Sequence, residues 1–293
     1  MSKKTFAIMG ATGSIGAVIA ERLLKKGHNI HAIGRDEKKL LKFSEKGVRT
    51  FKGVFEDATM LSEAFRGADT VFSFLPFSYD VDDVGAYQDA VGEAIRQALH
   101  NADVGMVVNL SSIGAHKDHG PASIRGLYRH EQRLNAVPNL KVVHFRPGWF
   151  MENLIVYIQK TLGFVRSTLR ADLFIPMVAT CDIGQKIAEF LEKMPASRHT
   201  VFEYVGPRSY TMVEAIAILG AAIGMPSLKY VECSDAEMRK GMLARGMTPS
   251  VAQNVLELNR MYNEGHFEGV QKVTSDHCGT TTLEDFAKEL NRL

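Results

Sequence analysis

Three glycines at positions 10, 13 and 16, in the run Phe6-Ala-Ile-Met-Gly10-Ala-Thr12-Gly13-Ser14-Ile15-Gly16, separate an apolar stretch from an amphipathic one. This spacing suits a strand–turn–helix unit that cradles phosphates. Gly10 permits the tight turn, Gly13 lets a pyrophosphate reach the backbone, and Gly16 lets the helix lie close on the strand. The helix start, with Thr12, Ser14 and Ile15 in the loop before and within it, then offers free N–H groups and a partial positive charge to the phosphates. A glycine-rich turn alone is common. A strand before it and an amphipathic helix after it make the dinucleotide reading far more specific.

The second strand ends His31-Ala-Ile-Gly34-Arg35-Asp36, with Lys38 and Lys39 close behind. A site for NAD(H) usually places an acidic side chain here to accept from the ribose hydroxyls. Gly34 followed by Arg35 suits a 2′-phosphate instead, so the expectation is NADP(H) preferred over NAD(H). The alternative is that Arg35 is a solvated surface charge.

Other groups carry less chemistry. His116-Lys-Asp-His119 has no third ligand nearby and precedes Gly120-Pro121, so it reads as a surface loop, and no metal site is expected. Asp80-Val-Asp-Asp83 reads as a solvated acidic loop before a helix, bordering the pocket. Met238, Met242, Met247 and Met261 read as core or lid packing. Cys181, Cys233 and Cys278 are the three cysteines, far apart and unpatterned, which points away from a disulfide framework and toward a reducing compartment.

Elements of regular spacing must hold these residues. Strands are expected at 5–9, 29–33, 49–52, 70–74, 105–110 and 141–145, with helices at 15–26, 36–46, 58–66, 85–101 and 124–137. That alternation predicts an α/β fold with a doubly wound parallel sheet covered on both faces. Beyond Pro147, Asp182 is expected to cap a helix to about Lys193, and 200–205 to form a strand. Thr211-x-x-Glu214, Thr248-Pro249 and Thr282-x-x-Asp285 read as helix starts. The expected division is a nucleotide-binding domain over 1–150, to which 176–206 returns, and a smaller, mainly helical lobe over 151–293.

Composition bounds the remaining classes. The chain has 293 residues, 35 basic against 33 acidic, for a net charge of +2. Such a balance offers no basic stripe for nucleic acid and no pull to an anionic membrane. The apolar stretch Ala215 to Met225 falls well short of the ~20 residues of a membrane span. The N-terminus runs into Thr5–Met9, an apolar run too short for a signal peptide, so a cytoplasmic location is expected.

Several segments resemble the NmrA-like group of atypical short-chain dehydrogenase/reductases: Gly10 to Gly16, Gly34-Arg-Asp36, Asn109-Leu-Ser-Ser112 and above all Phe145-Arg-Pro-Gly-Trp-Phe-Met-Glu-Asn153. Thr180-Cys-Asp-Ile-Gly184 and Tyr204-Val-Gly-Pro207 extend the likeness through nearly the whole chain. The resemblance implies a Rossmann-type sheet, a small C-terminal lobe and a nicotinamide pocket between them. It implies cofactor contacts from Leu75, Pro76 and Phe77, from Ser111 and Ser112 near the nicotinamide ribose, and from Pro147, Gly148 and Trp149. Asn153 would begin the helix that crosses between lobes. Relatives often carry a Gly-Asp pair that reads adenine after the third strand; here it is Gly53-Val54, with Phe55 beside it.

Catalytic members of the wider group pair a Tyr with a Lys four residues later, and the cation lowers the phenol pKa for proton exchange. Tyr128 follows Ser112 at a suitable interval, but Gln132 stands where the Lys would be. Tyr128 and Ser112 are therefore the candidate catalytic pair, and Tyr128 reads equally as an ordinary helix-face tyrosine. A quinone or dye can take a hydride and collect its proton from solvent, so loss of the Lys leaves hydride transfer open. Two readings stand. One is a reductase of a small carbonyl or conjugated acceptor. The other is a redox-sensing regulator that binds NADP(H) and acts through a protein partner.

Overall fold

The computed structural model describes residues 2–157, 163–267 and 275–290. In chain order the first elements are β1 (Thr5–Met9), α1 (Ser14–Lys25), β2 (Asn29–Gly34), α2 (Glu37–Ser44), β3 (Arg49–Lys52) and α3 (Ala58–Phe65). Next come β4 (Thr70–Phe74), α4 (Val84–Asn101), β5 (Met106–Leu110), α5 (Ala122–Asn135), β6 (Lys141–Pro147), β7 (Trp149–Phe150) and α6 (Asn153–Tyr157). The remainder holds β8 (Phe164–Ser167), β9 (Ile175–Val178), α7 (Thr180–Glu192), β10 (His199–Tyr204), β11 (Ser209–Tyr210) and α8 (Met212–Ala222). It closes with β12 (Lys229–Glu232), α9 (Asp235–Ala244), α10 (Pro249–Asn263) and α11 (Leu283–Leu290).

Seven strands form one parallel sheet in the order β10-β6-β5-β4-β1-β2-β3. Alternate residues feed two cores, because successive side chains of a strand point to opposite faces. Phe6, Ile8, Phe72, Val108, Val143 and Phe145 meet Ile15, Ile19 and Leu23 of α1 and Ile183, Ile187 and Leu191 of α7. Ala7, Met9, Val71, Val107 and Val142 meet Leu61 and Phe65 of α3, Val91, Ile95 and Leu99 of α4 and Leu134 of α5. The sheet is Rossmann-like: β2 and β3 follow β1 to one side, and the strand order reverses at β1, with β4, β5, β6 and β10 laid down on the other.

Helix starts follow local chemistry. Asp36, Asp57 and Asp83 cap α2, α3 and α4, and Thr211, Ser234 and Thr248 cap α8, α9 and α10. One expected cap is corrected. Helix α7 begins at Thr180, and Asp182 lies inside its first turn with its carboxylate accepting from Thr281 N and Oγ1, both at 2.8 Å. The capping carboxylate is Glu152, which accepts from Thr180 N at 3.0 Å and from Thr180 Oγ1 at 2.5 Å. It comes from a distant turn, where no local pattern could signal it.

The C-terminal lobe is not purely helical. It carries a three-stranded sheet β11-β9-β7 and a parallel pair β12-β8, built from strands of two to four residues, too short for periodicity to register. Its core joins Trp149, Met151, Leu154, Tyr210, Ile216, Met261 and Leu283. Met238 and Met242 pack a separate small cluster with Ala252 and Leu256, and Met247 lies against it.

Two histidines, His130 of α5 and His144 of β6, are buried. Burial, reinforced by Arg133, pushes His130 down to about 3, and neither ring nitrogen finds a partner among the described residues. Burial likewise pushes His144 down to about 4; it contacts Asn135 and Asn109. Below the unfolded value near 6.5 the unfolded chain takes up protons that the folded chain refuses, so stability is retained above that value and lost as pH falls toward 4. Urea denaturation at pH 5 should give about 1–2 kcal/mol less stability per histidine than at pH 7.5. His130→Leu should flatten that slope; an unchanged slope would clear His130 of it.

Candidate functional site

The crevice at the C-terminal ends of β1 and β4 is where the chain's crossovers diverge, the usual ligand position in an open parallel sheet. The Gly10–Gly16 loop opens onto it. Gly10 has φ +62°, and a Cβ there would stand 2.8 Å from the Phe74 ring. Gly13 N donates to Gly10 O at 2.8 Å, closing the turn. A Cβ on Gly16 would lie 2.1 Å from Gly10 O, so only glycine lets α1 rest on the loop. Gly13 caps α1 with no side chain, and the N–H groups of Thr12, Ser14, Ile15 and Gly16 have no partner among the described residues. Four unfilled donors beside a helix start fit a pyrophosphate.

On the β2 side, a Cβ at Gly34 would crowd Thr12 Oγ1 at 3.3 Å and lie in ordinary contact with Leu40 at 3.5 Å. Arg35 follows, exposed and in no ion pair among the described residues; the neighbouring Asp36 is engaged in capping α2 through Lys39 N. Asp80 and Tyr87 lie within the field of Arg35. A hydrogen bond from Ser78 holds the Asp80 carboxyl below its usual range, with Arg35 adding to it. Burial raises the Tyr87 phenol, and nearby Glu56 adds to that. Val54 is exposed, while Phe55 is buried edge-on to Phe74.

On the β4 side, Leu75 and Pro76 are buried, and Phe77 and Tyr79 form an exposed edge-to-face pair 5.1 Å apart. Their loop is pinned by α10: Thr248 N donates to Tyr79 O at 3.2 Å, and Thr248 Oγ1 to Val81 O at 2.6 Å.

At the ends of β5 and β6 the two serines differ. Ser111 is buried, and its hydroxyl donates to Glu131 Oε1 at 2.6 Å. Arg146 closes on the same carboxylate through Nε at 2.9 Å and Nη2 at 2.5 Å. Ser112 is half-buried, and its hydroxyl makes no hydrogen bond among the described residues. Tyr128 is half-buried and Gln132 exposed; Arg129 and Arg133 of the same turn are both held by Asp89 of α4. His116, in the loop between β5 and α5, is kept below its ordinary value by partial burial, then by Lys117 and Arg146. No group of three His, Cys, Asp or Glu side chains among the described residues is placed to hold a metal.

Pro147 and Gly148 are buried at the end of β6, and a Cβ on Gly148 would lie 2.6 Å from Pro176 O. Trp149, 8% exposed, joins the C-terminal core beside Ile113 and Met151. Asn153 opens α6. Sequence reasoning missed Glu131, and it gave Arg146 and Glu152 only as letters of the Phe145–Asn153 string, with no role for either. For Glu131 a signal existed: it shares a helix face with the apolar Ile124 and Leu134.

An NmrA-like family model matches residues 2–287. The chain belongs to the NmrA-like family. It is 27% identical to an NAD(P)H azoreductase of Xenophilus azovorans, over 96% of both chains. Among solved structures it resembles the NADPH complex of the Escherichia coli quinone oxidoreductase QOR2, at 21% identity and TM-score 0.80 over 97% and 99% of the two chains. The triphenylmethane reductase of a Citrobacter species also has TM-score 0.80, at 18% identity over 99% of this chain and 100% of that one. The structural likenesses establish the NmrA-like fold. They leave the acceptor to be argued from the site.

Gly16→Ala should test the cradle, because its methyl meets backbone rather than a flexible side chain. It should cost about 1–3 kcal/mol, the range of overpacking. The parent should melt higher when a nicotinamide dinucleotide is added, and the variant should not. Retained nucleotide stabilisation would remove this loop from the site.

Proposed function

We propose that the protein is an NADP(H)-dependent oxidoreductase that reduces a small carbonyl or a conjugated acceptor of the quinone or dye class. The bare start of α1 beside the glycine loop carries this reading, with Arg35 one strand away. Residues 1–150 and 176–206 serve as the nucleotide-binding body, and the rest of 151–293 as the lobe facing the acceptor. The azoreductase relationship supports a conjugated acceptor. Three free cysteines suit a reducing, cytoplasmic setting.

When bound, the nicotinamide supplies a hydride. The chain's part is to hold both partners. Unpartnered N–H groups of α1 take the pyrophosphate, and Arg35 takes the 2′-phosphate. Pro147, Gly148 and Trp149 form a rigid wall at the nicotinamide end, with the glycine admitting β9 behind it. Tyr128 has a glutamine where the group's usual lysine would stand, so proton delivery is left to solvent or to the acceptor's own chemistry. Positioning then supplies most of the rate.

Incubating the protein with NADPH and a panel of quinones, azo dyes and enones should give oxidation above background with at least one acceptor. Tight NADPH binding without turnover on any of them would favour the regulator that acts through a protein partner. NADPH should bind more tightly than NADH, and Arg35→Ala should weaken NADPH about tenfold while sparing NADH, as expected for one lost charge-assisted contact. An unchanged ratio in calorimetric titration would remove Arg35 from cofactor choice. Tyr128→Phe should lower turnover less than about tenfold, below the usual range for a general acid. A larger loss at saturating NADPH would restore a tyrosine-centred mechanism.

A further inference from the structure

The phenol of Tyr262 is buried without a partner. Its ring, 7% exposed, lies in the last turn of α10 among Ile113, Ile124, Trp149, Met261 and Phe267. Burial alone holds the phenol above its ordinary value, and no charge or hydrogen bond among the described residues acts on it. The two other tyrosines packed in this core are satisfied. Tyr210 donates to Glu284 Oε2 at 3.3 Å and accepts from Leu283 N at 2.9 Å, and Tyr230 donates to Leu169 O at 2.6 Å. A buried tyrosine hydroxyl ordinarily finds a partner, and exceptions mark strain, bound water or a working group. A resident water would need several polar partners, and the cluster around this ring offers few.

Helix α10 crosses the crevice end of the sheet. Thr248 holds the loop after β4, Ser250 Oγ accepts from Val84 N at the start of α4 at 3.2 Å, and Asn254 Oδ1 accepts from Ser123 N at the start of α5 at 2.8 Å. Asn254, Leu258, Met261 and Tyr262 follow at helical spacing on one side, and the last three join one core. Beyond the helix, Phe267 packs on the Tyr262 ring with centroids 4.2 Å apart. It packs also on Gly114, where a Cβ would stand 2.4 Å from Phe267 Cε1. Gly114 is two residues past Ser112, so a single ring stands between Tyr262 and the loop that leaves β5. Trp149, on the proposed nicotinamide wall, belongs to the same cluster.

We propose that Tyr262 is a catalytic residue of acceptor reduction: its hydroxyl donates a hydrogen bond to the carbonyl oxygen of a quinone or enone, where negative charge develops as hydride arrives. This rests on the oxidoreductase reading of the site. Hydride transfer brings two electrons to the acceptor and oxidises the nicotinamide, and a proton from solvent completes the hydroquinone or saturated ketone. Because burial holds the phenol's own proton in place, Tyr262 stabilises the charge without supplying that proton.

Tyr262→Phe, assayed at saturating NADPH, should lower kcat for quinones and enones on the order of 10²-fold, the scale of one lost donor at a developing oxyanion. Its affinity for NADPH should stay within about twofold of the parent's, and it should melt at the parent's temperature or above, since an unmet hydroxyl is removed. Tyr210→Phe, which strips Leu283 and Glu284 of a partner, should melt lower. A cationic triarylmethane dye becomes neutral on taking hydride, so its reduction should fall less than about threefold in Tyr262→Phe. Undiminished turnover of quinones and enones, a melting temperature below the parent's, or an equal loss with the dye would overturn the proposal. A rise in KM alone, or a parent that reduces only cationic dyes, would do so too. A parent inert toward every acceptor would instead refute the oxidoreductase reading, and this assignment with it.

Discussion

The contact between Gly16 of α1 and the carbonyl of Gly10 is the constraint on which the site depends. It brings the helix onto the loop so closely that no side chain fits between them. Because Gly13 cannot cap, the helix begins with unsatisfied donors, which most other helices of this chain satisfy with Asp, Ser or Thr. A folded chain tolerates such an end only where water or an anion can reach it. Packing and binding are thus one feature: the closeness that stabilises α1 on β1 also leaves its N–H groups aimed into the crevice.

Across the crevice the chemistry is the reverse, a fully satisfied charged group. Glu131 would be costly to bury alone, but Arg146 and Ser111 fill its oxygens. Its worth is geometric more than energetic, because a hydrophobic trio of similar volume could be as stable. The pair joins α5 to the ends of β5 and β6.

The smaller lobe is tied to the sheet by polar groups at helix starts. Glu152 caps α7, Asp182 of α7 holds Thr281 ahead of α11, and Thr248 at the start of α10 holds the loop after β4. Each tie uses a carboxylate or hydroxyl to satisfy a backbone group from a distant part of the chain, or to join two such segments. Elements that line the crevice are consequently fixed from both lobes.

Local chemistry was legible in the sequence. Glycine spacing, alternating apolar runs and Asp-, Ser- or Thr-led helix starts depend on neighbours within a few residues, and the strands, the main helices and the tight glycine turn before α1 follow from them. The short strands β7, β11 and β12 were not legible, because two to four residues hold no period and their pairing is set by partners far away. Asp182 illustrates the limit: its type and place suggest a cap, yet Glu152 reaches the helix end first, and Asp182 binds Thr281 instead. Ser111 and Ser112 are indistinguishable as letters. Only the tertiary structure, by setting Glu131 and Arg146 beside one of them, decided which hydroxyl is held and which is free, since burial and pairing belong to the folded neighbourhood rather than to the residue.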